Sequence, residues 1–289
     1  VVANTTRRHL FSSRNCEQAF LEWSAFILEK HLLTVESSGL SVIGPVRKEN
    51  QDAVLLLTRQ DRSDAGLYAV ADGMGGYAQG SIASKMALEA FSNKFFERVN
   101  PDPKTLHRGM ESANIEVYLA AQRSGVGQMG TTLTAAYVLD STVYLVHVGD
   151  SRAYLIHNGR SVCLTADHTT VGDMVRTKLI SPDKVRTHAQ RSILTKAIGL
   201  GLLARGDISQ HKLHAGDHLI LCTDGIWSVI QDDEFAELIK DNLTPAEISR
   251  KLVDLALRRE TDDNASIIVL HMRRLSSAFT ENKQLKNSG

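Results

Sequence analysis

The chain has 289 residues, 43% of them hydrophobic, and its 33 basic residues balance 33 acidic ones. That is enough apolar material for one large core, while zero formal charge speaks against a nucleic-acid-binding domain, which normally carries a basic excess. Three cysteines, far apart and without a CxxC spacing, argue against a disulfide scaffold or a cysteine zinc site and suit a reducing compartment.

No apolar run approaches the roughly 20 residues that span a bilayer, and the opening VVANTTRRHLFSS holds no apolar signal core. The expectation is a soluble, cytoplasmic protein. Residues 1–15 are polar and weakly patterned. At 17–33 the apolar residues Phe20, Trp23, Phe26, Ile27 and Leu33 fall at helical spacing. They predict an amphipathic helix docked on the body, with partner binding or dimerisation as the other use of such a face. Residues 37–39 read as a joint. The expected organisation is an extension over 1–36, a main domain over 37–274 and a polar tail over 275–289.

Strands are predicted at 53–57 and 67–71, then helices at 81–99 and 104–122, the first stopped by Asn100-Pro101-Asp102-Pro103. Strands at 131–139, 142–148 and 153–157 follow in quick succession. Asp140-Ser141, Gly149-Asp150-Ser151 and Asn158-Gly159 supply turn chemistry between and after them, which makes an antiparallel meander. Residues 169–192 are polar and weakly periodic, the mark of a functional flap or a disordered loop. Strands at 208–213 and 218–222, helices at 232–240 and 245–259, and a last strand at 265–271 complete the pattern. Hairpin runs broken by helix pairs are not the alternating grammar of a doubly wound fold. They imply an α+β protein with antiparallel sheets and helices packed outside them.

Four aspartates share one context. Asp72 and Asp224 each end an apolar run and precede glycine (VADG, CTDG), Asp150 lies just past a strand, and Asp263 lies just before the last one. Singly, each reads as a turn or cap residue. Together they would repel one another in one cleft and raise each other's pKa, a cost that divalent cations remove. Oxygen ligands without His or Cys at ligand spacing indicate Mg²⁺ or Mn²⁺ rather than zinc. Such ions serve phosphoryl chemistry by activating water. Arg47 is the candidate for the phosphoryl oxygens, since a guanidinium matches a phosphate fork; its other reading is a surface salt bridge with Glu49 or a neighbour. His147 lies mid-strand and reads as a core histidine. His168 sits at the mouth of the flap, with a substrate or hydrogen-bonding role open to it. Cys222 reads as a buried small hydrophobe.

Eight stretches occur in order: VRKENQDA at 46–53, ADGMGG at 71–76, GTTL at 130–133, VGDSRAYL at 148–155, LTADHT at 164–169, ILTKAIG at 193–199, LCTDGIW at 221–227 and DDNAS at 262–266. With them the sequence resembles the metal-dependent protein phosphatases of the PPM (type 2C) family, the bacterial branch in particular, over about residues 41–272. The resemblance implies a four-layer α/β/β/α sandwich of two antiparallel sheets flanked by helix pairs. It implies hydrolysis of phosphoserine and phosphothreonine by direct attack of a metal-activated water, reversing a bacterial Ser/Thr kinase. No CxxxxxR signature for a phospho-enzyme is present. The alternative is a pseudophosphatase that binds phosphoproteins without catalysis; retention of all four aspartates and Arg47 weighs against it.

By the same resemblance, Asp72 bridges two ions, the Gly73 carbonyl serves the second, Asp224 and Asp263 serve the first, and Asp150 with Asp224 holds a third. Arg47 binds phosphate. Asp52 and Asn264 support the site, Asp52 through waters. The implied partners are a phosphoprotein substrate and a cognate Ser/Thr kinase, with no nucleic acid and no membrane, for a protein acting as a monomer. Three positions depart from the family pattern. Gln51 stands where many members have Glu and brings no charge to the second ion. Val42 stands where many bacterial members have Asp, which removes an outer hydrogen bond. Met74 and Tyr77 stand where many carry a proton-donating His, so a lower rate on poor leaving groups is expected.

Overall fold

Strands buried on both faces need apolar side chains at every position, and β3 (Ala65–Met74) has them: Leu67, Ala69 and Ala71 point one way, Tyr68 and Val70 the other. In the computed structural model, which describes residues 33–58, 62–76, 79–97, 101–125, 129–239 and 242–274, these two faces belong to different cores. Tyr68 and Val70 meet Leu219, Leu221, Ile268 and Leu270 in a layer between two sheets. Leu67, Ala69 and Ala71 meet the helices α1 (Gln79–Phe95) and α2 (Thr105–Ser124) outside.

One sheet has the strand order β2 (Asp52–Thr58), β3, β5 (Leu133–Leu139), β6 (Thr142–Val148), β9 (Asp207–Lys212), with the two-residue β4 (Gly130–Thr131) paired to β3. The other has the order β1 (Leu33–Val42), β11 (Ala265–Arg274), β10 (His218–Cys222), β7 (Arg152–His157), β8 (Arg160–Cys163). Every pairing is antiparallel. The outer face of the second sheet, with Ile220, Cys222, Ile267 and Val269, packs under three helices: α4 (Asp224–Trp227), α5 (Glu234–Leu238) and α6 (Pro245–Arg258). The architecture is therefore the expected sandwich of two antiparallel sheets between helical layers.

The helices follow from the same logic. On α1, Ala83, Ala87, Phe91 and Phe95 recur every fourth residue and are buried. On α6, Thr244 and Glu247 form a reciprocal capping box ahead of a proline in the first turn, and Ile248, Leu252, Val253 and Ala256 face the sheet. Each such Leu, Ile or Phe contributes roughly 1.5–3 kcal/mol by burial.

Four local expectations change. The joint at residues 37–39 is the middle of β1, all ten residues of which pair with β11; its polar Glu36, Ser37 and Ser38 lie at a sheet edge, where strand signal is weakest. The strand at 131–139 breaks at Thr132, which turns its hydroxyl to Asp72. The flap at 169–192 contains α3 (Thr170–Arg176) and a 3₁₀ helix (Pro182–Thr187). Asp224 and Gly225 open a short helix rather than a turn. The helix expected at 17–33 lies outside the described residues but for Leu33, as do Tyr77 and the tail at 275–289.

Candidate active site

Register brings the acids together. Asp52 opposes Asp72 across β2 and β3, while Cys222 opposes both Arg152 and Ile267 across β7, β10 and β11. The ends of β3, β6 and β10 and the starts of β2, β7 and β11 thus share one rim. A cavity of about 780 Å³ opens there, lined by Arg47, Asp72, Gly73, Asp150, Asp224, Asp263 and Asn264. Seven of the eight residues singled out in the sequence meet in it. The eighth, Asp52, is buried beneath, where its Oδ2 accepts from Thr223 Oγ1 at 2.8 Å and Ser266 Oγ at 2.6 Å. These bonds tie β2 of one sheet to the end of β10 and the start of β11 in the other.

The loop carrying the glycines is held by close backbone approach. A Cβ on Gly73 would stand 1.9 Å from Gly80 O and 2.6 Å from Gln51 O, and Gly73 N donates to Gln51 O at 3.1 Å. Gly225 is as tight against Asn264 O. Asn264 accepts from Gln51 N at 2.9 Å and donates to Glu49 O at 3.0 Å, so it pins the stretch that presents Arg47. Asp72 is fixed through its backbone: its N–H donates to Thr132 Oγ1 at 2.9 Å and its carbonyl accepts from Thr131 Oγ1 at 2.8 Å. The side chain stays available to the cavity.

Burial pushes the carboxyl pKa of Asp52 and of Asp224 up to about 7. For Asp52, Ser266 and Thr223 oppose the rise; for Asp224, Asp263 and Asp262 add to it and Arg47 opposes it. Burial also raises Asp72 and Asp150, with repulsion from Asp52 and Asp224 acting on Asp72 and from Asp224 and Asp167 on Asp150. Arg47 donates to Asp263 Oδ2 at 2.5 Å and to the Asp262 carbonyl at 3.1 Å. Asp224 Oδ1 is buried and finds no hydrogen-bond partner among the described residues. All-oxygen donors, clustered carboxylates and an orphaned oxygen fit hard divalent cations.

Sequence reading missed several wall residues. Thr132 sits in the quoted GTTL stretch but carried no role, and Ser192 and Leu194 bring the end of the flap to the cavity. Behind Asp150, its carbonyl accepts from Trp227 Nε1 at 2.9 Å, and Arg152 lies 3.6 Å over that indole while forking onto Asp167 at 2.9 and 2.7 Å. Arg186 of the flap donates to the Trp227 carbonyl and to Asp232. His147 is a core residue, bonded to Thr134 Oγ1 and the Ala166 carbonyl and stacked on His168. His168 is buried and accepts from Gly149 N, away from the cavity wall. Cys222 is fully buried.

Two sheets, flanking helices and an acidic rim define a class, and comparison with known proteins gives the same one. The Protein phosphatase 2C family pattern matches residues 46–258. A serine/threonine phosphatase of Listeria innocua is 30% identical over 233 residues, covering 78% of this chain and 92% of its own length. The structure of the phosphatase Stp1 from Staphylococcus aureus superposes with a TM-score of 0.77 at 30% identity, covering 82% of this chain and 94% of that one. The catalytic domain of the phosphatase PstP, solved with two manganese ions, gives 0.73 at 29% identity, covering 83% and 99%. The chain belongs to the protein phosphatase 2C, or PPM, family of metal-dependent serine/threonine phosphatases.

Proposed function

We propose that this chain hydrolyses phosphoserine and phosphothreonine in proteins by direct attack of water on phosphorus, opposing a bacterial Ser/Thr kinase. The observation that carries the reading is the cavity itself: Asp72, Asp150, Asp224 and Asp263 line it together, and Arg47 stands at its edge. Asp72, the Gly73 carbonyl, Asp224 and Asp263 are the groups that would hold two ions, and Asp150 with Asp224 would hold a third. Bound there, Mg²⁺ or Mn²⁺ would lower the pKa of the attacking water and offset the repulsion among the carboxylates.

The chain's own groups do the rest. Arg47 is half-exposed, so its guanidinium can turn from Asp263 to two oxygens of an incoming phosphoryl group. Asn264 and Gln51 hold the Arg47 stretch in place. Met74 lines the cavity and has no titratable proton to give the leaving alkoxide. Ser192 and Leu194 offer a rim for residues beside the phosphorylated one. We place the activity in the cytoplasm, where the free thiols of Cys163 and Cys222 persist.

The test is Mn²⁺-dependent phosphate release from a phosphothreonine peptide by wild type, Asp72→Ala and Asp224→Ala. Activity that needs Mn²⁺, stops with chelator and is lost in both variants is expected. Turnover that survives chelation, or is unchanged in both variants, would reject the reading. A wild type that binds phosphoprotein without turnover would establish the pseudophosphatase instead.

A further inference from the structure

The end of the β1-β11-β10-β7-β8 sheet remote from the aspartates carries a second constellation. His157 ends β7, Asp217 precedes β10, and His214 lies in the loop between β9 and β10. The strands β7 and β10 separate this group from Asp150 and Asp224 by roughly 15–20 Å, at about 3.3 Å per residue. Asp217 Oδ1 is 2.7 Å from His157 Nδ1, and Oδ2 is 3.5 Å from His214 Nδ1. The two imidazoles face each other with ring centres 4.9 Å apart. One ligand atom from each of the three residues lies within 4.8 Å of the others. Among the described residues this is the group of three His, Cys, Asp or Glu side chains that converges so tightly.

The carboxylate is built in, not adventitious. Asp217 is 2% exposed. Its Oδ2 accepts from His214 N at 2.8 Å, its N–H donates to the His214 carbonyl, and its own carbonyl accepts from Met272 N at 2.9 Å. Gly216, at φ +92°, makes the turn that delivers it. The two histidines are 40% and 58% exposed at their side chains, so an ion can reach them from solvent. Asn158, whose amide lies 2.9 Å from His157 Nε2, can turn its oxygen to that nitrogen once the ring proton sits there, and so orient a ligating imidazole from outside.

We propose that His157, His214 and Asp217 form a second metal site, taking a borderline transition ion such as Zn²⁺ with solvent as the remaining ligand. Imidazole nitrogens and one carboxylate select such ions over Mg²⁺, whereas the oxygen-only cavity has the opposite preference. Ligation through Nδ1 needs each ring as the tautomer that carries its proton on Nε2. Binding clips the β9–β10 loop to the end of β7.

The test is calorimetric titration of the full chain with Zn²⁺ in excess Mg²⁺, and titration with Co²⁺ read by its visible absorption. Asp72→Asn/Asp224→Asn protein removes the aspartate cavity from the measurement. One ion per chain should still bind to it, with a tetrahedral Co²⁺ spectrum. Adding His214→Gln, at a half-exposed loop position where folding is not at stake, or His157→Gln, should weaken binding at least 10–100-fold. Zn²⁺ binding that vanishes with the aspartates, or is untouched by both histidine changes, would overturn the proposal. So would no binding to the aspartate variant, which would leave the trio a plain His–Asp ion pair.

Discussion

Arg47 donates to Asp263 Oδ2 at 2.5 Å across 216 residues of sequence. The guanidinium proposed for phosphate and a carboxylate proposed for an ion are thus partners in the free chain. Engaging a phosphoryl group exchanges one anion for another at the same fork, with little loss of side-chain order. Arg47→Ala should cut kcat/KM on a phosphothreonine peptide about 10²–10³-fold. Arg47→Lys should recover only part, because a point charge cannot bridge two oxygens. Steady-state kinetics at saturating Mn²⁺ would show it; equal rates for Lys and Arg would remove the fork from the account.

Carboxylates set for cations cost stability when the cations are absent. Asp224 is raised by burial and by Asp263, and its Oδ1 has no hydrogen-bond partner among the described residues. Asp224→Asn should therefore raise the Tm of the chelated protein by a few degrees, taking about 1 kcal/mol as 2–4 °C for a chain of this size. The same change should abolish the upward shift that Mn²⁺ gives wild type by binding the native state. Thermal melts of both proteins with chelator and with Mn²⁺ check this. A wild type indifferent to Mn²⁺ would contradict it.

Gly73 has no room for a methyl group, since Gly80 O and Gln51 O would both lie within van der Waals contact of it. Backbone atoms, not flexible side-chain ends, make that contact. Gly73→Ala should destabilise by about 2 kcal/mol or more through displacement of the loop and lose Mn²⁺-dependent turnover. Gly76→Ala, where an added Cβ meets nothing within 4 Å, is the matched control and should keep its stability within about 0.5 kcal/mol. Urea denaturation separates the two.

Much of this site was legible because its chemistry is local. Asp-Gly after an apolar run is a short motif, and the nearly unbroken apolar runs of β3 and β10 read as strands buried on both faces. What sequence hid was made by pairing. β1 escaped notice because an edge strand tolerates Glu36, Ser37 and Ser38, and its partner β11 lies more than 200 residues away. Thr132 broke a strand for a hydrogen bond to Asp72 that no propensity records. Arg152 sits in the quoted VGDSRAYL stretch without an assigned role, yet it is buried over Trp227 and forked to Asp167. His214 and Asp217 are three residues apart, but only the register of β7 against β10 brings His157 to them.

That Arg152 fork supports another prediction. Both partners are under a tenth exposed, and removing one leaves a charge buried alone, which costs about 3–5 kcal/mol. Arg152→Met keeps the bulk against Trp227 but strands Asp167. It should lower urea stability by that order and loosen the indole bond to the Asp150 carbonyl. Arg152→Met with Asp167→Leu should recover much of the stability, as buried pairs replaced by apolar residues often do. A single variant as stable as wild type would show that the pair is neutralised by other means.

His147 gives the pH dependence. Burial, then the stacked His168, lowers its pKa from 6.5 to about 4, with Asp167, the Ala166 carbonyl and Asp207 opposing the fall. The native state keeps the ring neutral where the unfolded chain is already protonated. Between pH 6.5 and 4 the unfolded state therefore binds more protons, and stability falls as pH falls. A shift of that size corresponds to at most about 3 kcal/mol across the window. His147→Gln, which retains a polar group near Thr134 without titrating, should be less stable at pH 7.5 and should lose stability less steeply from pH 7 to 4.5. Urea midpoints at three pH values, read against wild type, decide it. Parallel slopes for the two proteins would assign the acid sensitivity to other groups.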